Sequence, residues 1–150
     1  DGIKGGFTIA HDWNGLDLET VAGLCVIEEA IGGKGDDLLV GNTASNYLNG
    51  KKGDDILYPS TGGANKVRGG KGRDKFLIHA GSDAYVIVKD FDRRQDTLVF
   101  DVAAEQASLQ VKGNHTKILV SDVLVAKVLD EVRVDLDRHA LFSGFDAYGL

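Results

Sequence analysis

The sequence has few or none of several features that identify particular classes of protein. It has no methionine, one proline and one cysteine, Cys25, among 150 residues. No apolar run approaches the roughly 18 residues that a membrane-spanning helix needs, and no basic-then-apolar stretch marks a signal peptide. A lone cysteine cannot form an internal disulfide bond. We therefore predict no transmembrane segment, and the missing methionine indicates a piece of a longer protein.

Basic charge and catalytic motifs are scarce as well. Lys and Arg number 17 against 23 Asp and Glu, which gives a net charge of −6. This balance excludes the chain-wide basic field that drives nucleic-acid binding, so we predict no nucleic-acid partner. The sequence contains neither His-Glu-x-x-His nor Gly-x-Ser-x-Gly, the motifs of zinc proteases and serine hydrolases. We predict no catalytic residues and no enzymatic activity in this chain, whatever the activity of its parent protein.

Glycine and aspartate are abundant instead. Glycine accounts for 20 of the 150 residues, most of them between residues 32 and 81. With 43% apolar residues and almost no proline, the chain is neither a flexible linker nor disordered. Aspartate, which far outnumbers glutamate, favours turns and oxygen-ligand sites. This combination indicates a folded domain built from tight turns.

A nine-residue pattern, Gly-Gly-x-Gly-x-Asp-x-U-x with U a large apolar residue, recurs along this zone. Good copies begin at Gly32, Gly50 and Gly69, and weaker copies begin at Gly41 and Ser60. The Asp or Asn position of the five copies falls at Asp37, Asn46, Asp55, Asn65 and Asp74. The U position falls at Leu39, Leu48, Leu57, Val67 and Phe76. A further degraded copy has Gly81, Asp83 and Tyr85.

The repeat predicts an all-β fold, a right-handed parallel β-roll over residues 32–100. In each copy a turn leads into a short strand, and the U residue points inward. Two copies make one coil of the roll, and successive coils stack about 4.8 Å apart. Copies two apart then lie on the same side. One side carries Asp37, Asp55 and Asp74, and the other carries Asn46, Asn65 and Asp83.

The aspartate side has the chemistry of a calcium site. Calcium takes six to eight oxygen ligands, and turn carbonyls plus carboxylates from stacked coils supply them. We predict one site between Asp37 and Asp55 and one between Asp55 and Asp74, with a third or fourth on the other side. The alternative is that these Asp and Asn residues only terminate turns. The carbonyl ligands would come from Gly32, Gly33, Gly35, Gly50, Gly53, Gly69, Gly70 and Gly72.

These motifs resemble a known family. Residues 32–100 resemble the RTX (repeats-in-toxin, hemolysin-type) calcium-binding β-roll, and residues 87–101 resemble the aspartate–phenylalanine segment that closes such rolls. That segment adds Asp90 and Asp92 to the calcium candidates. Residues 7–10 and 26–33 resemble the start of the C-terminal domain of serralysin-type secreted metalloproteases.

The resemblance implies a function for the chain. It implies a non-catalytic module of a bacterial protein that is secreted, extracellular or at the cell surface. Calcium would be its cofactor and would drive its folding, and the type I secretion machinery would be a partner. Lipases and mannuronan epimerases carry similar rolls. The alternatives are therefore a polysaccharide-binding module and a fragment of a secreted metalloprotease or lipase.

Beyond the roll, antiparallel strands are predicted. Residues 108–112 and 116–121 flank Gly113-Asn114, a hairpin signal, and residues 123–129 and 132–136 continue the pattern. We expect residues 101–150 to form an antiparallel cap and tail. With an N-terminal region over residues 1–31 and the roll, they complete a single domain over residues 1–150.

Lysines at one repeat position form a second candidate site. Lys34, Lys52 and Lys71 precede the third glycine of the three good copies, and Arg73 lies close by. Stacking would align them into a ladder that binds an anionic polysaccharide. The alternative is that they are solubilising charges that prevent association between sheet edges.

Overall fold

The computed structural model describes residues 29–81, 85–131 and 133–150. Strands of the repeat zone alternate between two parallel sheets, which confirms the predicted all-β parallel β-roll. One sheet contains β1 (Glu29–Ile31), β3 (Tyr47–Lys52), β5 (Asn65–Lys71) and β7 (Val86–Val88). The other contains β2 (Leu38–Val40), β4 (Ile56–Tyr58), β6 (Lys75–Ile78) and β8 (Thr97–Phe100).

The inward-facing residues of the repeat form the core. Leu39, Leu48, Leu57, Val67 and Phe76 are all buried, as the pattern predicts. The prediction for the sixth copy is wrong in its register. Tyr85, predicted to point inward, is 40% exposed, and Val88 is the residue that pairs with Val67. Val86 therefore stands opposite Asn65. Extra residues between β6 and β7 shift the register, and Asp83 lies outside the described residues.

The predicted hairpin is present and extends the first sheet. Strands β9 (Ala107–Lys112) and β10 (His115–Val120) flank Gly113, whose φ of +65° suits glycine. Strand β11 (Val123–Val128) pairs antiparallel with β10 and parallel with β7. The seven-stranded sheet therefore runs β1-β3-β5-β7-β11-β10-β9. A short 3₁₀ turn, Ala104–Gln106, leads into β9.

The predicted strand over residues 132–136 is wrong in its described part. Residues 133–135 form no strand, and a short helix α1 (Leu136–His139) begins there. The Asp135 carboxylate caps this helix by accepting a 3.0 Å hydrogen bond from the backbone N–H of Asp137, a local bond that competes with strand pairing. Strand β12 (Ala140–Leu141) follows and pairs parallel with β8. The five-stranded sheet therefore runs β12-β8-β6-β4-β2.

The last residues pack against the outer face of the five-stranded sheet. The Phe145 ring lies 5.2 Å from the Tyr58 ring and, with Leu77 and Val99, forms a second buried cluster. The ring of Tyr148, in the 3₁₀ turn Asp146–Tyr148, lies 5.6 Å from Nζ of Lys75. This tail covers an apolar strip that would otherwise face water.

Candidate metal site along the aspartate edge

Four aspartates form a continuous hydrogen-bonded row along one side of the roll, which we call the aspartate edge. Its members are Asp37, Asp55, Asp74 and Asp96. In each coil the backbone N–H of the aspartate donates to Oδ1 of the aspartate in the next coil. These bonds are 2.8 Å from Asp37 to Asp55, 3.0 Å from Asp55 to Asp74 and 3.0 Å from Asp74 to Asp96. The structure thus brings the three predicted aspartates together in order.

Asp96 is the member that sequence reasoning missed. It lies 22 residues after Asp74, well beyond the spacing of the earlier coils. The signal was nonetheless present, because Asp96-Thr97-Leu98 repeats the Asp-x-U part of the pattern, and Leu98 is fully buried. The aspartate edge therefore runs one coil further than the glycine-rich turns do.

The second carboxylate oxygens differ along the edge. Oδ2 of Asp37 accepts a 2.6 Å bond from Gly33 N–H, and Oδ2 of Asp96 accepts a 2.8 Å bond from Asp92 N–H. In the part of the chain that is described, Oδ2 of Asp55 and Oδ2 of Asp74 are buried without a hydrogen-bond partner. A buried polar atom without a partner costs about 1–3 kcal/mol, and a charged one costs more. These two oxygens therefore need a positive group that the described residues do not provide.

Glycine lets backbone oxygens approach these carboxylates. A methyl group on Gly50 would clash with Oδ2 of Asp55 and would lie 2.7 Å from the carbonyl oxygen of Gly69. The same group on Gly32 would lie 2.6 Å from both Oδ2 of Asp37 and the carbonyl oxygen of Gly50. Carboxylate and carbonyl oxygens thus share a narrow space between adjacent coils. Such oxygens repel each other, whereas a cation attracts both.

The aspartate edge strongly disfavours its own negative charge. Burial raises the pKa of Asp55 to about 7, and the charges of Asp74 and Asp37 add to the shift. Burial likewise raises the pKa of Asp96 to about 7. The pKa of Asp74 is raised by burial, with repulsion from Asp90 and Asp54. A bound cation would remove this penalty for all three carboxylates.

The donor chemistry fits calcium rather than a transition metal. Over the ranges described, no group of three or more His, Cys, Asp or Glu side chains is placed to hold a metal. The oxygens beside Asp55 and Asp74 come instead from single carboxylates and from backbone carbonyls. Such all-oxygen sets suit calcium, whose coordination is flexible in number and angle.

On the opposite side of the roll, which we call the asparagine edge, the side chains of Asn46 and Asn65 are hydrogen-bonded to groups of the same edge. The backbone N–H of Asn46 donates a 2.8 Å bond to Oδ1 of Asn65, which repeats the ladder of the aspartate edge. The Asn65 amide nitrogen then donates a 2.6 Å bond to the carbonyl oxygen of Gly62. Oδ1 of Asn46 accepts a 2.8 Å bond from Asn42 N–H. No buried side-chain oxygen of the described part of this edge lacks a partner, so the predicted third and fourth sites have no such support.

The two aspartates suggested by the closing segment lie beside the edge rather than in its row. The Asp90 carboxylate accepts hydrogen bonds of 2.9 Å from Gly69 N–H and 3.0 Å from Gly70 N–H, and it pairs with Arg68 at 3.2 Å. Asp92 is held by the Arg94 guanidinium, whose hydrogen bond lowers the pKa of Asp92. Asp90 therefore faces the glycine-rich turn at Gly69, whereas Asp92 closes a surface turn.

The predicted lysine ladder is present in part. Lys52 and Lys71 are direct neighbours in the parallel register of β3 and β5, while Lys34 and Arg73 are exposed on adjoining turns. The acidic residues Asp36 and Asp54 alternate with these cations, and Oδ1 of Asp54 accepts a 2.8 Å bond from Arg73 N–H. Positive charge along this ladder is therefore partly neutralised.

The fold and the aspartate edge together define a class of protein, the parallel β-rolls with buried carboxylates along one side. The sequence profile described as Peptidase M10 serralysin C terminal matches residues 9–132. The chain belongs to that family, an RTX-type one.

A solution structure of the AlgE6R3 subunit of the mannuronan C5-epimerase from Azotobacter vinelandii is similar, with 22% identity and a TM-score of 0.33 over 75% of this chain and 81% of that one. No curated protein matches the sequence. Among the described residues, no helix is long and apolar enough to cross a membrane.

Proposed function

We propose that this chain is a non-catalytic calcium-binding module of a secreted bacterial protein, and that calcium at the aspartate edge drives its folding. The observation that carries the proposal is the pair of buried Oδ2 atoms of Asp55 and Asp74 that have no partner. Membership of the serralysin C-terminal family supports the secreted setting. Any catalytic activity would then belong to other domains of the parent protein, a protease or lipase.

The residues favour two calcium sites: the predicted one between Asp55 and Asp74, and one at Asp74 in place of the predicted one between Asp37 and Asp55. The first would use Oδ2 of Asp55 and the carbonyl oxygen of Gly69, which share one glycine-lined space. The second would use Oδ2 of Asp74, whose pKa is already raised in part by the charge of Asp90. At Asp37 the Gly33 N–H occupies Oδ2, so a site there requires that bond to break. Bound calcium supplies the positive charge that allows these carboxylates to be ionised inside the roll.

Calcium binding would then act as a switch for folding. Metal-binding free energy becomes folding free energy when the site does not exist in the unfolded chain. Extracellular calcium modules bind at about 10⁻⁴–10⁻³ M, so the chain would stay unfolded in a calcium-poor cytosol and fold outside the cell. This behaviour suits export through the type I secretion machinery in an unfolded form.

Circular dichroism tests the coupling directly. We expect little β structure in excess EGTA and full β structure when millimolar calcium is added. Magnesium at the same concentration is the control, because its small octahedral shell fits flexible carbonyl sites poorly. Complete β structure in EGTA at pH 7.5, with no gain on adding calcium, would show that the roll folds without metal.

Polysaccharide binding by the lysine ladder is the remaining alternative. The direct pairing of Lys52 with Lys71 favours it, whereas the alternating Asp36 and Asp54 oppose it. Calorimetry with an anionic polysaccharide tests the ladder, since replacing Lys34, Lys52 and Lys71 with alanine should then abolish binding.

A further inference from the structure

Strand β9 is the last strand of the seven-stranded sheet, and we call its outer side the open edge. Of the described strands, β10 alone pairs with β9, in a register that is unbroken from one end of β9 to the other. The five-stranded sheet ends at β12, which pairs with β8 as β11 pairs with β7. Strands β10 and β9 therefore extend their sheet beyond the last coil of the roll.

The hairpin turn determines which backbone groups face the open edge. A turn with two central residues closes with a hydrogen bond between its flanking residues, which here are Lys112 and His115. Along an antiparallel strand the direction of hydrogen bonding alternates from residue to residue. The backbone N–H and C=O groups of Leu109 and Val111 therefore point away from β10. Such a row of groups is a template for another strand.

The side chains of β9 leave this edge unprotected. Leu109 packs against the core, but Val111, on the same side of the strand, is 60% exposed, the highest fraction among the large apolar residues described. Edge strands commonly avoid association through proline, bulges or inward-pointing charges. Strand β9 has no proline and no break in its register with β10. Its only charge, Lys112, lies on the outer side at the end of the strand.

We propose that β9 pairs antiparallel with β9 of a second copy of this chain, about a two-fold axis at Gln110. This register places Leu109 of each copy opposite Val111 of the other, on the core side of the joined sheet. Each Leu109–Val111 pair exchanges two backbone hydrogen bonds and shields apolar surface that a single copy exposes. Because both copies use the same strand, the contact closes after two chains.

Charge and the ends of the strand favour this register. Lys112 stands opposite the neutral Ser108 of the other copy. The two Lys117 side chains, each beside Gln110 of its own copy, are three strand spacings, about 14 Å, apart across the axis. Their repulsion is screened, because the Debye length is about 8 Å at physiological salt. A register centred on Leu109 would instead set Lys112 against the 3₁₀ turn Ala104–Gln106, where strand pairing stops.

The interface has a limited size, which sets its strength. One pair of six-residue strands buries less surface than the roughly 1,200–2,000 Å² of stable complexes. The dimer should therefore be weak, with a dissociation constant of about 0.1 mM. The proposal needs the folded chain but does not depend on where calcium binds.

Sedimentation equilibrium of the full chain in calcium measures the association, with folding checked by circular dichroism. We expect a monomer–dimer equilibrium whose dissociation constant rises about tenfold or more in V111P. Proline at this position removes only an N–H that faces the open edge, so the pairing of β9 with β10 should persist. The matched control is V111I, which keeps both the N–H and the apolar side chain and should associate at least as tightly as the parent chain.

Cysteine cross-linking tests the register independently. The two Gln110 Cα atoms would form a non-hydrogen-bonded pair about 4.5 Å apart, within the range that a disulfide bond spans. Mild oxidation of Q110C should therefore give a covalent dimer, with the parent chain and its Cys25 as the baseline. S108C, on the same outer side of β9, is the matched control, because its two copies would lie about 14 Å apart and should not exceed that baseline.

Several results would overturn the proposal. A parent chain that stays monomeric at about 1 mM, or V111P that associates as the parent does, would mean that β9 does not pair with itself. Equal cross-linking of S108C and Q110C would rule out the two-fold axis at Gln110. Species larger than a dimer would assign the open edge to another strand of the next copy. Failure of calcium-coupled folding is seen separately, in the EGTA experiment.

Discussion

The two edges of the roll come from the same repeat but differ in one atom of their central side chain. On the asparagine edge, the amide nitrogen of Asn65 donates to the Gly62 carbonyl oxygen. On the aspartate edge the equivalent atom of Asp55 or Asp74 is an oxygen that has no partner in the described structure. On both edges, Oδ1 of the side chain accepts a hydrogen bond from a backbone N–H of the neighbouring coil. The amide of Asn65 therefore closes its turn on its own, whereas the carboxylates of Asp55 and Asp74 leave one oxygen that requires a cation or a proton.

Exchanging the two kinds of edge is the strongest way to test this contrast. The double variant D55N/D74N replaces both unpartnered oxygens with amide nitrogens. We expect calcium affinity to fall about tenfold or more because the charged ligands are lost. The metal-free chain should become more stable by about 1–3 kcal/mol for each oxygen removed. Circular dichroism in EGTA and during calcium titration measures both effects, and less β structure in EGTA than in the parent would contradict this expectation.

The reverse exchange should damage the asparagine edge. N65D removes the donor to the Gly62 carbonyl oxygen and places a buried carboxylate beside it. We expect a loss of about 1–3 kcal/mol in the calcium-loaded chain. N49D, on the partly exposed outward face of β3, is the control for adding a carboxylate without burying it. Equal stability of N65D and N49D would show that the amide bond contributes nothing.

Acid should mimic calcium at the aspartate edge. The pKa of Asp55 and of Asp96 is raised to about 7 in the fold, against about 3.9 for an unfolded aspartate. Their protonation therefore stabilises the metal-free fold fully below about pH 4, and this contribution is lost as the pH rises through about 7. Circular dichroism in metal-free buffers across this range should show a falling fraction of folded roll, with a weaker fall in D55N. A metal-free stability that rises between pH 4 and 7.5 would be incompatible with buried, unpaired carboxylates.

The smallest effect concerns a backbone difference between coils. Lys51 stands where other good copies have a second glycine, and it adopts a φ of +81°, while Gly70 in the next coil has +105°. A non-glycine residue in this region costs about 1–2 kcal/mol. K51G should therefore raise the melting temperature by a few degrees. K52G, without a positive φ to relieve, should lower it instead, and a gain of the same size in K52G would remove the strain argument.

Most of the roll is predictable from the sequence because its repeat couples turn chemistry to an inward apolar residue. The pattern correctly predicted five buried U residues and the order Asp37, Asp55, Asp74. It failed where the spacing changed. Asp96 was missed because its coil is longer, and Tyr85 was placed inside because the register slips before β7.

Chemistry beyond the repeat was harder to predict. The interpretation of residues 132–136 as a strand relied on alternating apolar residues and overlooked Asp135 as a helix cap. The unpartnered oxygens of Asp55 and Asp74 depend on which backbone N–H groups reach each carboxylate. That is a property of stacked coils and not of local sequence.

The most direct test of the central claim is an anomalous difference map from crystals grown with calcium. We expect peaks beside Oδ2 of Asp55 and beside Oδ2 of Asp74, with none beside Asn46 or Asn65. Peaks along the asparagine edge, or an aspartate edge without any peak at saturating calcium, would contradict it.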